Sequence, residues 1–257
     1  MSQPFKDKVA IVTGGSDGIG RATARLLAQR GAHVIICARR KEKLSEAKAE
    51  IEAAGGSVET VSLDVTNSED FANLVAEVAE RHGRLDMMVN NAMSVHYAPI
   101  ANLTLEHWRK DFAVNADAVF VGTKAALKVM MAAGSGSIVN ISSSCGIRAA
   151  PYMSSYSASK AALIQFTAVA AMEAARSNVR VNAIVPGQVQ TASTEDFASK
   201  APEVAAKTAD AIPMGRGGTP DELAEAIIFM LSDAAAYVTG VALPVDGGKA
   251  AQLYLPS

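Results

Sequence analysis

The sequence predicts a doubly wound α/β domain: a parallel sheet of about seven strands with helices on both faces. Three observations carry this. Short apolar runs alternate with longer amphipathic stretches along the chain, as βαβ units require. Most runs are continuously apolar rather than alternating, the pattern of parallel strands covered on both sides. The first run opens into a glycine-rich turn, Thr13-Gly-Gly-Ser-Asp-Gly-Ile-Gly20, with a helical pattern directly behind it.

In chain order, Val-Ala-Ile-Val at 9–12 is the first strand, and residues 18–30 form the helix behind the glycine turn. Val-Ile-Ile-Cys at 34–37 is the second strand, followed by a helix at 41–54. Strands at 58–63 and 87–89 flank a helix at 67–82, and a long helical pattern at 104–133 precedes a strand at 138–141. A helix at 155–177 leads to a strand at 179–185, and a helix at 219–232 leads to the last strand at 242–245. No linker, repeat or low-complexity segment interrupts the series, so residues 1–257 read as one domain. The interval 187–218 differs, carrying Pro202, Pro213 and a glycine cluster from Gly215 to Gly218, with modest helical character in between. A long excursion after a late strand is either a lid over a ligand crevice or an ordinary surface loop.

Bulk properties narrow the function. A net charge of −2 without a long basic run argues against nucleic acid or an anionic membrane as partner. No stretch of about 18 uncharged apolar residues appears, and the first eight residues lack an apolar signal core. Cys37 and Cys145 have no paired spacing, so neither a disulfide framework nor a metal site is expected. A soluble, cytoplasmic protein is the expectation.

The chemistry concentrates between Ser143 and Lys160. Tyr156 and Lys160 stand four residues apart, hence one turn apart on one face of a helix. An ammonium held that close is expected to lower the tyrosine pKa from about 10 and fit it for proton exchange with an alcohol or carbonyl. Ser143, thirteen positions upstream, offers a hydroxyl for the substrate oxygen, although Ser142 and Ser144 flank it. At the other end of the chain, Gly14, Gly18 and Gly20 permit a tight turn and close approach of the backbone to a pyrophosphate at a helix N-terminus. The spacing is not G-x-G-x-x-G, so that fingerprint is not claimed. After the second strand the chain reads Ala38-Arg-Arg-Lys41 where an NAD site usually offers an acid. This favours NADP(H) over NAD(H), with Asp17 in the glycine turn pulling the other way.

Thr13–Gly20, Asp64, Asn90-Asn-Ala92, Asn115, Ser143, Tyr156-Ser-Ala-Ser-Lys160 and Pro186-Gly187 occur in order along the chain. Together they resemble the short-chain dehydrogenase/reductase family over essentially the whole sequence. The resemblance implies a Rossmann-type fold with Tyr156 as general acid and base. Lys160 would hold the nicotinamide ribose and lower the Tyr156 pKa, Ser143 would orient the substrate oxygen, and Asn115 would help bind a proton-relaying water. It also implies cofactor contacts from Gly14, Ser16, Asp17, Gly18, Ile19, Gly20, Arg39, Asp64, Val65, Asn91, Ala92, Pro186, Gly187, Val189 and Thr191. Asn115 stands inside an apolar helical run, where an Asn marks an irregular turn or a polar partner. One departure is Met93, where the family has glycine. Met does not tolerate positive φ well, so either the backbone is ordinary there or the loop has shifted.

Loops at the carboxyl ends of the strands should line the substrate pocket. Val95, His96, Cys145, Tyr152 and Met153 are the leading candidates, with Tyr97, Ile147, Gln188 and Val189 beside them. They are mostly apolar without clustered Arg or Lys, which suits an apolar ketone or secondary alcohol. His96 reads as a shaping or hydrogen-bonding residue, and Cys145 as a packing residue. The helix after Tyr156 is apolar almost all round and needs cover on both sides. With the family's common assembly, this points to a homo-oligomer, a tetramer. Leu253, Tyr254 and Leu255 in the tail would dock on a neighbour or fray. Two other functions stay open: an oxoacyl-thioester reductase of lipid synthesis, which would need a basic docking patch that Arg148 alone hardly supplies, and a nucleotide-binding redox sensor without turnover.

Overall fold

The computed structural model describes residues 3–252; the tail residues Leu253, Tyr254 and Leu255 lie outside them. Seven strands run β1 (Val9–Thr13), β2 (His33–Ala38), β3 (Ser57–Ser62), β4 (Met87–Asn90), β5 (Gly136–Ile141), β6 (Val179–Pro186) and β7 (Ala242–Val245). They form one sheet in the order β3-β2-β1-β4-β5-β6-β7, and every neighbouring pair is parallel. Each run read as a strand from the sequence is one.

Alternation along the strands feeds two cores. In β1 and β2, Ala10, Val12, Val34 and Ile36 face one side, packed with α1 (Gly18–Gln29), α2 (Lys41–Ala53) and α9 (Pro220–Leu231). Val9, Ile11, Ile35 and Cys37 face the other, packed with α3 (Ser68–His82), α5 (Ala118–Ala133) and α6 (Ser154–Ala174). Caps set the helix ends. Asn67 accepts from Asp70 N at the start of α3, and Gly83 ends it in the left-handed region. Thr219 and Glu222 form a reciprocal capping box at the start of α9, so two backbone N–H groups need no water, and Pro220 in the first turn has none to satisfy.

One expectation changes. The long helix at 104–133 is interrupted: α4 (Leu105–Phe112) passes through a widened π-helical turn, Ala113–Asp117, before α5. The cause is Asn115, whose side chain is drawn off the helix face to partners outside it. The modest helical character of the excursion at 187–218 resolves into α7 (Ala192–Lys200) and α8 (Pro202–Asp210). Among the described residues no helix is long and apolar enough to cross a membrane.

Candidate active site

Strand order reverses between β1 and β4, and the predicted site residues gather at the carboxyl ends of the strands around that point, where open α/β sheets take ligands. At the end of β1, Gly14 has φ +62° and Gly18 φ +51°. A Cβ on Gly20 would fall 2.3 Å from the Gly14 carbonyl oxygen, so only glycine lets the start of α1 lie against the turn. Asn91 Nδ2 donates to the carbonyls of Thr13 (3.0 Å) and Gly14 (3.3 Å). Thr13 Oγ1 accepts from Asn91 N and Ala92 N, which locks the β1 turn to the loop after β4. Ser16 is buried, Ile19 packs on the core, and Thr191 Cγ2 lies 3.4 Å from where a Gly18 Cβ would be. This brings the N-cap of α7 over the glycine turn.

Asp17 is the N-cap of α1, its Oδ1 accepting from Gly18 N at 2.8 Å. Its other oxygen accepts from Arg40 at 3.2 Å. The conflict read between Asp17 and a 2′-phosphate is thereby softened, because Asp17 already has an N–H and a guanidinium to answer its charge. Arg39 is largely exposed, its guanidinium 3.9 Å from Asp64. Asp64 Oδ1 accepts from Thr66 N and Oγ1, which fixes the turn after β3, and Val65 is buried behind it. On the far side, Gly187 packs so tightly that a Cβ would lie 2.7 Å from Asp246 Cβ. Val189 bridges to Gly218, closing the base of the α7–α8 excursion next to Pro186.

Ser143, Tyr156 and Lys160 come together at the end of β5 and the first turns of α6, all buried. The three flanking serines now separate. Ser142 Oγ donates to the Lys160 carbonyl at 2.9 Å and is structural. Ser143 Oγ accepts from Cys145 N at 3.2 Å and lies near enough to the Tyr156 phenol to act on its proton affinity, while Ser144 begins a short 3-10 turn, Ser144–Gly146. Gly146 lets that turn press on α6, since a Cβ there would meet the Lys160 carbonyl carbon at 2.9 Å.

The expectation that Lys160 lowers the Tyr156 pKa is not met in this structure. Burial pushes the Tyr156 phenol up to about 12, outweighing the nearby Ser143 hydroxyl, which acts to lower it. Burial also pushes Lys160 down to about 7. Its Nζ donates to the Ile141 carbonyl at 2.7 Å and sits 5.8 Å from the centroid of the Tyr156 ring. The sequence placed the pair on one helix face correctly, but both groups lose their water there, and desolvation dominates.

Asn115 is fully buried. Its Oδ1 accepts from Ser94 N, and its Nδ2 donates to the Ser94 carbonyl and to Ser159 Oγ. Ser159 donates in turn to the Tyr156 carbonyl at 2.8 Å. The side chain thus clamps the loop after β4 to α6. Met93 takes the ordinary-backbone option, because among the described residues positive φ at non-glycine positions is confined to Asp7, Tyr152 and Asn178. Its side chain is 54% exposed at the mouth. Tyr152 holds φ +67° with its carbonyl accepting from Ala98 N, and both Tyr152 and Tyr97 are exposed. Cys145 Sγ and Met153 Sδ are 4.0 Å apart, and Val95 is half-buried in the loop after β4.

Sequence reading missed a buried carboxylate, Asp111. Its four contacts are Ser94 Oγ (2.8 Å), Ser155 Oγ (2.5 Å), His96 Nδ1 (2.7 Å) and His96 N (3.2 Å). Burial alone would raise its pKa, yet the hydrogen bonds from Ser155, His96 and Ser94 hold it below the usual range. An acid at an inward position of an amphipathic helix was the available signal. A second missed feature is a buried polar chain: Asn90 Nδ2 donates to Thr123 and Asn140, and Asn140 donates to Thr167, tying α5 and α6 through the sheet.

A dinucleotide cradle at the switch point and a Ser-Tyr-Lys set facing it define a dehydrogenase-type site. The chain belongs to the short-chain dehydrogenase/reductase family. The family model described as enoyl-(acyl carrier protein) reductase matches residues 14–250. The cis-4-hydroxycyclohexanecarboxylate dehydrogenase of Sinomonas cyclohexanicum is 42% identical over 98% of this chain and 100% of its own. The 2,5-dichloro-2,5-cyclohexadiene-1,4-diol dehydrogenase LinX of Sphingobium indicum is 40% identical over 96% and 98%. The 3-oxoacyl-[acyl-carrier-protein] reductase FabG of Thermotoga maritima is 41% identical over 95% and 98%. Among solved structures, a protein from Beutenbergia cavernae described as an NAD(P)-dependent gluconate 5-dehydrogenase, with bound NADP, superimposes with TM-score 0.91 at 39% identity, covering 97% of this chain and 100% of that one. NAD+-bound xylitol dehydrogenase superimposes with TM-score 0.91 at 31% identity over 95% and 99%.

Proposed function

We propose that this oxidoreductase interconverts a cyclic secondary alcohol and its ketone, using NADP(H) in preference to NAD(H). The observation that carries the reading is the buried Ser143–Tyr156 pair beside Lys160, set against a glycine cradle that a single Cβ would fill. When bound, the nicotinamide supplies or takes up the hydride. Gly14, Ser16, Gly18, Ile19 and Gly20 would hold its phosphates, Asp64 and Val65 the adenine, and Asn91, Ala92, Pro186, Gly187, Val189 and Thr191 the remainder. Arg39 would meet a 2′-phosphate, with Arg40 answering Asp17. Lys160 would reach the ribose. Tyr156 gives its proton to the carbonyl oxygen in reduction and takes one in oxidation, while Ser143 orients that oxygen. The excursion with α7 and α8 serves as the lid that excludes water.

The cyclic substrate is supported by two relatives whose names specify ring alcohols and by the exposed apolar rim of Met93, Tyr97 and Tyr152. FabG keeps the thioester reading in view. Arg148, its candidate docking residue, is already spent on the carbonyls of Ile147 and Ala250, which favours the small alcohol. The test is a panel of ring alcohols and ketones with NADPH and NADH, run on the wild type and on Tyr156→Phe. Expected are turnover favouring the phosphorylated cofactor and a loss of about 10²–10⁴-fold in Tyr156→Phe, with cofactor binding retained. Equal or better rates with NADH would overturn the cofactor preference. Full activity in Tyr156→Phe would remove the proton-transfer role.

A further inference from the structure

Asp111 is a wholly buried acceptor with its four contacts filled, two of them hydroxyl donors and one a backbone N–H. An ionised carboxylate only accepts, so the fourth contact, His96 Nδ1 at 2.7 Å, must carry its proton. That fixes the imidazole tautomer and leaves Nε2 as the acceptor on the neutral ring. One face of the ring is covered by His107, stacked at 4.3 Å and 12°. Among the described residues Nε2 has no protein partner, and the side chain is 28% exposed.

The same carboxylate ties this imidazole to the first turn of α6, which carries the reacting group. Ser155, which donates to Asp111, immediately precedes Tyr156 on α6. The loop carrying His96 is pinned on both sides: Ser94 is tied to Asn115, and Ala98 N donates to the Tyr152 carbonyl. An aimed, tautomer-fixed acceptor on a braced loop is expensive to build for packing alone. An apolar side chain would serve a purely apolar pocket as well.

We propose that His96, held by Asp111, receives a second oxygen of the substrate, a hydroxyl distant from the carbon that Tyr156 and Ser143 serve. Asp111 is the positioning residue and His96 Nε2 the acceptor. The inference rests on the ring-alcohol reading above and narrows it to diols and other hydroxy-bearing rings, with simple ring alcohols as poorer substrates.

The test compares cyclohexane-1,4-diol with cyclohexanol as kcat/KM, in the wild type, His96→Leu, His96→Gln and Asp111→Asn, each checked for folding by thermal melting. The wild type is expected to favour the diol. In His96→Leu the diol-to-cyclohexanol ratio should fall about tenfold to a hundredfold, the worth of one buried hydrogen bond left unmade, with the loss mainly in KM. His96→Gln, which keeps an acceptor, should recover part of the ratio. Asp111→Asn, which frees the tautomer, should lower it in parallel with His96→Leu. A ratio unchanged within twofold in His96→Leu, or a wild type that does not favour the diol while oxidising cyclohexanol, overturns the assignment. A wild type that oxidises neither ring overturns the function on which it rests.

Discussion

Tyr156 and Lys160 share one face of α6, and burial drives their proton affinities in opposite senses, up to about 12 and down to about 7. The consequence for rate is directional. Oxidation needs the phenolate, so a raised pKa makes its population climb tenfold per pH unit through the neutral and mildly alkaline range. Reduction needs the phenol, which stays essentially fully protonated there. Alcohol oxidation by the wild type should therefore rise steadily from pH 7 to 10 in kcat/KM, with ketone reduction showing no matching rise over the same span. A plateau in oxidation beginning below pH 8 would mean that the phenol pKa lies far lower than burial sets it. The residue scale is also where sequence reasoning was weakest. Spacing revealed that Tyr156, Lys160 and Ser143 would meet, but not how much water each would lose, and the balance of desolvation against charge decides the sign.

Helices 5 and 6 carry the argument at the scale of the element. The sequence of α6 is apolar almost all round, and the fold uses one side for Leu163, Thr167, Ala170 and Ala171. The other side leaves Val169 and Met172 exposed, while Phe120 on α5 stacks edge-on with Phe166 at 6.0 Å and stays 48% exposed. Such a face asks for a second copy of the chain, so a tetramer is expected by light scattering at micromolar concentration. Val169→Asp should split it to smaller species by burying a charge at the contact. A monomeric wild type, or an unchanged mass for that variant, would refute the placement of the contact. Every strand and all but one long helix were readable from apolar periodicity, because parallel strands covered on both faces write a strong signal. The π-helical turn was half-readable, since Asn115 announced an irregularity without naming its partners. Asp111 escaped because a single acid on a helix looks like a solvated residue until Ser94, His96 and Ser155 close around it.

For the whole molecule, the same two buried groups link the chemistry of the site to the stability of the fold. Lys160 binds its proton less tightly folded than unfolded, with about 7 against an ordinary value of 10.5. Between those limits the unfolded chain holds more protons, so stability rises with pH across that window. Tyr156 has the opposite sign. Its folded value of about 12 exceeds the ordinary 10, the native state keeps the extra proton, and stability falls as pH climbs from 10 to 12. Together the pair places the most favourable pH for the cofactor-free chain near 10, at the cost of stability at neutral pH. Lys160→Met retains the buried volume and removes the titration, so its advantage over the wild type should be largest near pH 7 and vanish towards pH 10.5. The difference across that window should be on the order of 5 kcal/mol in urea unfolding. A constant offset between the two proteins at every pH would show that Lys160 keeps its ordinary proton affinity in the fold. The lysine would then be a permanent cation at the site, whose charge would have to be answered by groups beyond the Ile141 carbonyl it now touches.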